Sequence, residues 1–159
     1  MGETCQRPTR RCAIGRGSGT VRDEMTTIDD TWLQESIPFA RLIGVRLVAA
    51  APEEVRGQLE WAPERCTTAS VMHGGALMAF ADTVGAICAL LNLRPGEGTS
   101  TIESKTNFFR AVRGGTVEAV TRPLHVGRTT IVLQTDLLDE QRRRVAQVTQ
   151  TQAVLAPRP

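Results

Sequence analysis

The 20 residues from Gly74 to Leu93 carry a single charge, Asp82. Apolar side chains recur there on every face at the helical period, which predicts a helix buried on nearly all sides. Upstream the period changes. In Val55–Trp61 the apolar Val55, Leu59 and Trp61 alternate with Arg56, Gln58 and Glu60, as in a half-exposed strand. Arg41–Ala50 reads as a strand before it, and Ala62–Met72 as a loop. Thr27 or Asp29 is placed to cap a short helix that runs through Ser36 and closes at Pro38. Beyond Pro95-Gly96-Glu97-Gly98 four strand-like runs follow: Thr101–Arg110, Thr116–Val126, Thr129–Leu138 and Arg144–Leu155. Hairpin-like connectors join them at Gly114-Gly115, at Gly127 and at Asp139-Glu140-Gln141. Two strands, one long buried helix and a four-stranded meander make an α+β domain, an antiparallel sheet wrapped around the helix.

At 100° per residue, Gly75, Ala79, Asp82, Gly85, Ala86 and Ala89 share one face of the helix, and all but the acid are small. Leu77, Phe80, Ala81, Val84, Ile87, Cys88 and Leu91 cover the rest. Another surface or a ligand can come close to such a groove. A carboxylate in it is costly unless used or paired, so Asp82 is either a reactive group or an acid satisfied by a core arginine or backbone amides. The helix mouth, His73-Gly74-Gly75, is the second candidate. Uncovered N–H groups backed by the helix dipole suit an anion or a developing oxyanion, although His73 can equally bond a neighbouring carbonyl as a core residue. A transmembrane span of this length is rejected. A central Asp costs roughly 3 kcal/mol on insertion, no second span or aromatic belt accompanies it, and the mean hydropathy is below zero.

Composition narrows the class. The chain has 159 residues, enough for one domain with a sizeable core. Its cysteines at 5, 12, 66 and 88 lack C-x-x-C spacing and its only histidines are 73 and 125, so neither a disulfide scaffold nor a metal site is expected, and reducing cytoplasm is the expected compartment. Residues 1–24 hold Arg7, Arg10, Arg11, Arg16 and Arg22 among glycines and almost nothing apolar. They are expected to be a disordered leader without a secretory h-region. An organelle-targeting or RNA-binding arm is one reading of it, and translation starting at Met25 is the reading preferred. Five arginines against Glu3, Asp23 and Glu24 give that leader the whole chain's formal charge of +2, so residues 25–159, which hold the expected domain at 25–156, are neutral. That argues against a nucleic-acid surface.

The order of elements, together with Val71-Met72-His73-Gly74-Gly75-Ala76-Leu77, Ala81-Asp82-Thr83 and the strand Thr101 to Arg110, resembles the hotdog fold, in which a curled antiparallel sheet encloses one central helix. The likeness is to acyl-CoA thioesterases of the phenylacetyl-CoA (PaaI) type. Gly127-Arg128-Thr129 and Val145-Ala146-Gln147 continue it, over about residues 30 to 155. The resemblance implies that the thioester carbonyl is held by the N–H of Gly75 in the Gly74-Gly75 turn, with His73 orienting or polarising it. It implies that Asp82 is the base or nucleophile, assisted by a hydroxyl at Thr101. An acyl-CoA is then the substrate, coenzyme A being part of it and not a separate cofactor, and a dimer of dimers is the expected assembly. Where many relatives carry Asn or Gln six residues before the histidine this chain has Thr67, and Ser70 replaces a frequent Gly.

Gly75 and Asp82 lie seven residues apart, about 10 Å along a helix axis. A base must come within about 3 Å of the atom it serves, so Asp82 is expected to act on a substrate held at the helix mouth of a second copy, the homodimer being the catalytic unit. Arg128 beside Gly127, and Arg110, are candidates for the coenzyme A phosphates. His125 reads as structural or as part of a ligand rim. A serine or cysteine triad on His73 is disfavoured because no nucleophile-elbow context surrounds Ser70 or any other serine. A hydratase is disfavoured because no histidine-plus-acid dyad has hydratase spacing. A non-catalytic acyl-CoA or aromatic-ligand binding module remains the rival, and Thr67 is the feature that favours it.

Overall fold

The computed structural model describes residues 27–157, so the expected leader, residues 1–24, lies outside the described residues. Helix α1 (Asp30–Ser36) is capped by Asp29, whose side chain accepts from the Trp32 N–H at 2.9 Å. Pro38 does not end the helical region as expected. It opens a second short helix, α2 (Pro38–Ile43), because at the first helical position the missing N–H costs nothing and the fixed φ suits the turn. Gly44, at φ 77°, ends α2 and shortens the expected strand to β1 (Val45–Ala51). Strand β2 (Glu54–Glu60) follows, and then a loop containing two short 3₁₀ turns.

The central helix α3 (Gly74–Leu91) stops two residues short of the apolar run, because the Asn92 side chain turns back to bond the carbonyls of Cys88 and Pro52, each at 2.8 Å. Strands β3 (Gly98–Phe108), β4 (Thr116–Val126), β5 (Thr130–Leu138) and β6 (Arg144–Leu155) complete one antiparallel sheet. It curls around α3, the hotdog arrangement. Leu77, Phe80, Val84, Ile87 and Cys88 of the helix meet Val55, Leu59, Val117, Ile131, Leu133 and Val148 of the sheet in one core. That accounts for a helix apolar enough to cross a membrane.

The strand order β1-β2-β4-β5-β6-β3 corrects the expected meander. Only β4-β5-β6 is one. β3 pairs with β6 at the sheet edge, so Gly114-Gly115 is not a hairpin turn but the end of a crossover, residues 109–115. Three strand spacings, about 14 Å, separate its ends, well within the roughly 23 Å that seven extended residues reach. The crossover runs over the N-terminal end of α3, where the Met72 N–H donates to Val112 and Trp61 to Gly115, both at 2.8 Å.

Candidate active site

Two groups of side chains lie along α3. At its mouth, His73 has extended backbone (φ −66°, ψ 135°) and is the N-cap. Its Nδ1 accepts from the Gly75 N–H at 2.8 Å. Accepting there places the proton of the neutral ring on Nε2, so Nε2–H is the donor that exposed His73 offers outward. The Gly75 N–H expected to meet a carbonyl is thus engaged by His73 in this structure. Gly74 borders a cavity of about 390 Å³ lined also by Thr67, Leu77, Phe108, Arg110 and Val112. The crossover and the loop before α3 form its walls. The loop is under strain: Ala69 and Ser70 both have left-handed backbone, φ 59° and 53°. Their carbonyls accept from Arg113 Nη1 at 3.0 Å and Trp61 Nε1 at 3.1 Å. Only glycine adopts this region freely, so Ser70 carries a backbone cost that a Gly there would not.

Two turns further, Asp82 is half-buried. Its Oδ1 accepts from the Thr101 hydroxyl at 3.1 Å and from Gln150 Nε2 at 2.6 Å. The expected approach of Thr101 is therefore present, and a bulge produces it. β3 slips register between Thr101 and Glu103, Ile102 being the extra residue. Thr99 and Thr101 point at the core before the slip; after it, Phe108 packs on Gly74. A bulge re-aims side chains in this way, and one strand thereby serves both halves of the site.

Gln150 and Gln152 were not among the expected site residues. Each is 1% exposed. Gln152 Nε2 donates to Thr101 Oγ1 at 2.9 Å, and its Oε1 accepts from Thr99 at 3.0 Å. The signal was in β6: Ala146 and Val148 face inward, and the same phase continues into two glutamines, polar groups at core positions.

The two candidate phosphate arginines are not brought together. Arg110 follows β3 at the helix-mouth end, where its Nη1 donates to the Arg144 carbonyl at 2.8 Å. Gly127 and Arg128 sit in the β4–β5 turn at the other end, where the Gly127 N–H bonds Thr130 at 2.9 Å and Val154 bonds Thr129. The length of β5, roughly 30 Å, lies between them. His125 packs its ring against Gly127. Burial, and then Glu53, push the Cys88 thiol up to about 11, which leaves it protonated at neutral pH and unsuited as a nucleophile. Ser70 forms no hydrogen bond to His73.

The sequence profile described as Thioesterase superfamily matches residues 69–146, from the helix-mouth loop to β6. A candidate esterase of Mycobacterium tuberculosis, Rv1847, is 29% identical over 117 residues, 72% of this chain and 84% of that one. Its solved structure superposes with a TM-score of 0.74 at 26% identity, covering 77% and 100% of the two chains. The proofreading thioesterase EntH of Cronobacter sakazakii is 38% identical over 74 residues, 46% of this chain and 54% of its own. A variant of the phenylacetic acid degradation protein PaaI from Thermus thermophilus shares the fold at TM-score 0.67 and 24% identity, over 73% and 97%.

Proposed function

We propose that the chain, which matches the Thioesterase superfamily profile over residues 69–146 and has the hotdog fold, hydrolyses the thioester of a small acyl- or aryl-coenzyme A to the free acid and coenzyme A. The observation that carries this reading is Asp82, a carboxylate on an otherwise apolar helix, held on one oxygen by Thr101 and Gln150. As general base it takes a proton from water while the water oxygen bonds to the carbonyl carbon. The C–S bond then breaks, and the proton passes to the departing thiolate. As nucleophile it forms a mixed anhydride that water cleaves. Both routes build negative charge on the carbonyl oxygen, and the α3 mouth supports it. A carbonyl oxygen replacing His73 Nδ1 on the Gly75 N–H exchanges one acceptor for another, and His73 Nε2–H is then available to the same oxygen.

Asp82 and that mouth are about 10 Å apart on one helix, so the working site joins the mouth of one chain to Asp82 of a second. The catalytic unit is a homodimer, and a dimer of dimers follows from the family resemblance. The exposed β3 edge supports pairing of copies, since an 11-residue strand with open N–H and C=O groups needs a partner or a cover.

The test is thiol release from a panel of acyl-coenzyme A substrates, from short aliphatic to aryl, with Asp82→Asn beside the wild type. Turnover of at least one member is expected, lost by a factor of about 10² or more in the variant. Binding without thiol release across the panel would replace this reading with a non-catalytic binding module. Single turnover in ¹⁸O-water that labels the Asp82 carboxylate would identify the nucleophilic route with water cleaving the anhydride at the aspartyl carbonyl, whereas label in the product acid is common to both routes.

A further inference from the structure

Gln150 is an expensive residue for its position. Its side chain is buried under α3 and its Oε1 has no donor, an unmet acceptor that an apolar side chain would avoid. The amide is nonetheless held in one orientation. Turned over, it would set Oε1 against the Asp82 carboxylate, two acceptors at 2.6 Å. The helix has made room for it: a side-chain carbon at Gly85 would collide with Gln150 Oε1. Gly85 is thus the gap in the small-residue face through which this amide reaches the acid.

Both donors converge on a single atom. Gln150 Nε2 and Thr101 Oγ1 donate to Asp82 Oδ1, and no donor among the described residues reaches Oδ2. Gln152 takes part through Thr101: its Nε2 donates to Oγ1, so the hydroxyl proton is left to point at Asp82. We propose that Gln150 is a positioning residue which, with Thr101, occupies Oδ1 and thereby selects Oδ2 as the reacting oxygen of Asp82. This rests on the reading of Asp82 as base or nucleophile. A neutral amide suits the task. It fixes the carboxylate without an opposing charge, whereas a lysine or arginine there would pair with the acid and weaken it as base or nucleophile.

The full chain is assayed by thiol release with the best substrate of the panel. Gln150→Met keeps the length and removes the donor. We expect kcat to fall on the order of 10- to 100-fold, as for a misplaced reacting group, with KM changed less than about twofold and the melting temperature level or higher. In the Asp82→Asn background the same change should have no further effect on kcat. Gly85→Ala displaces the amide without altering residue 150, and should give the same loss in kcat alone. If Asp82→Asn is inactive while Gln150→Met turns over at the wild-type rate, the positioning role is overturned and the function stands. If Asp82→Asn itself is active, the reading of Asp82 falls, and this one with it. Should Gln150→Met fail to fold, Gly85→Ala decides: a folded Gly85→Ala with wild-type kcat overturns the proposal.

Discussion

The guanidinium of Arg65 lies where a side chain on Gly44 would have to be. From there its Nε donates to the Ile43 carbonyl at 2.5 Å and its Nη1 to Glu60 at 2.8 Å, while the Arg65 carbonyl accepts from the His73 N–H at 2.8 Å. One residue therefore ties the end of α2 and the end of β2 to the residue that caps α3. Gly44→Ala should cost about 1–2 kcal/mol for the left-handed backbone, and more as Arg65 is pushed aside. The measurement is the melting temperature, expected to fall by roughly 3–8 °C in a chain of this size. An unchanged value would mean that neither the φ of 77° nor the Arg65 contact matters.

Ser70→Gly should stabilise the protein. Serine at φ 53° bears a steric cost of roughly 1–2 kcal/mol, offset in part by the larger entropy that glycine loses on folding, so a net gain of about 0.5–1 kcal/mol is expected. Chemical denaturation reads it as a higher midpoint at constant slope. A lower midpoint would show that the serine hydroxyl is worth more than the strain.

Mixing inactive variants tests the shared site. Chains carrying Asp82→Asn, combined with chains carrying Gly75→Pro, which removes the N–H within the first helical turn, should regain one working site per heterodimer. That is about a quarter of wild-type activity at equal mixing, since half the dimers are mixed and each has one of two sites. No recovery after verified subunit exchange would place both groups on one chain's substrate.

Arg110→Ala and Arg128→Ala should differ. Phosphate contacts made equally in ground and transition states appear in KM and not in kcat. With about 30 Å between them, the two arginines cannot hold the phosphates of a coenzyme A bound within one chain. Steady-state kinetics should raise KM several-fold for Arg128→Ala with kcat little changed. A fall in kcat at constant KM would remove Arg128 as a phosphate ligand.

Local periodicity carried most of the fold. The bounds of β4 and β6 and the start of α3 follow from alternation and from the Gly-Gly mouth, because each element buries its own pattern. What escaped was set by partners distant in sequence. Pro38 marks a helix start or a stop by the same chemistry, and only the packing of α2 on β1 decides. The pairing of β3 with β6 leaves no local trace, nor does the slip at Ile102 that turns Thr101 toward Asp82. The candidate residues on the helix, His73, Gly75 and Asp82, could be picked out because their spacing is sequential. Gln150 comes to Asp82 from 68 residues away, visible only as a polar residue in the inward phase of a strand.

The crossover after β3 also orders the making of the protein. During synthesis β3 emerges before the strand it binds, which is the last of the sheet, so its N–H and C=O groups wait unpaired while β4 and β5 form. Pairings of such long sequence separation form slowly and leave strand edges open to other chains. Deleting Arg144–Leu155 would thus remove two strands' worth of sheet, since β3 has no other neighbour, and would take from Asp82 and Thr101 the glutamines that align them. Late closure of the sheet in the nascent chain and the proposed alignment of Asp82 in the finished one trace to the same twelve residues.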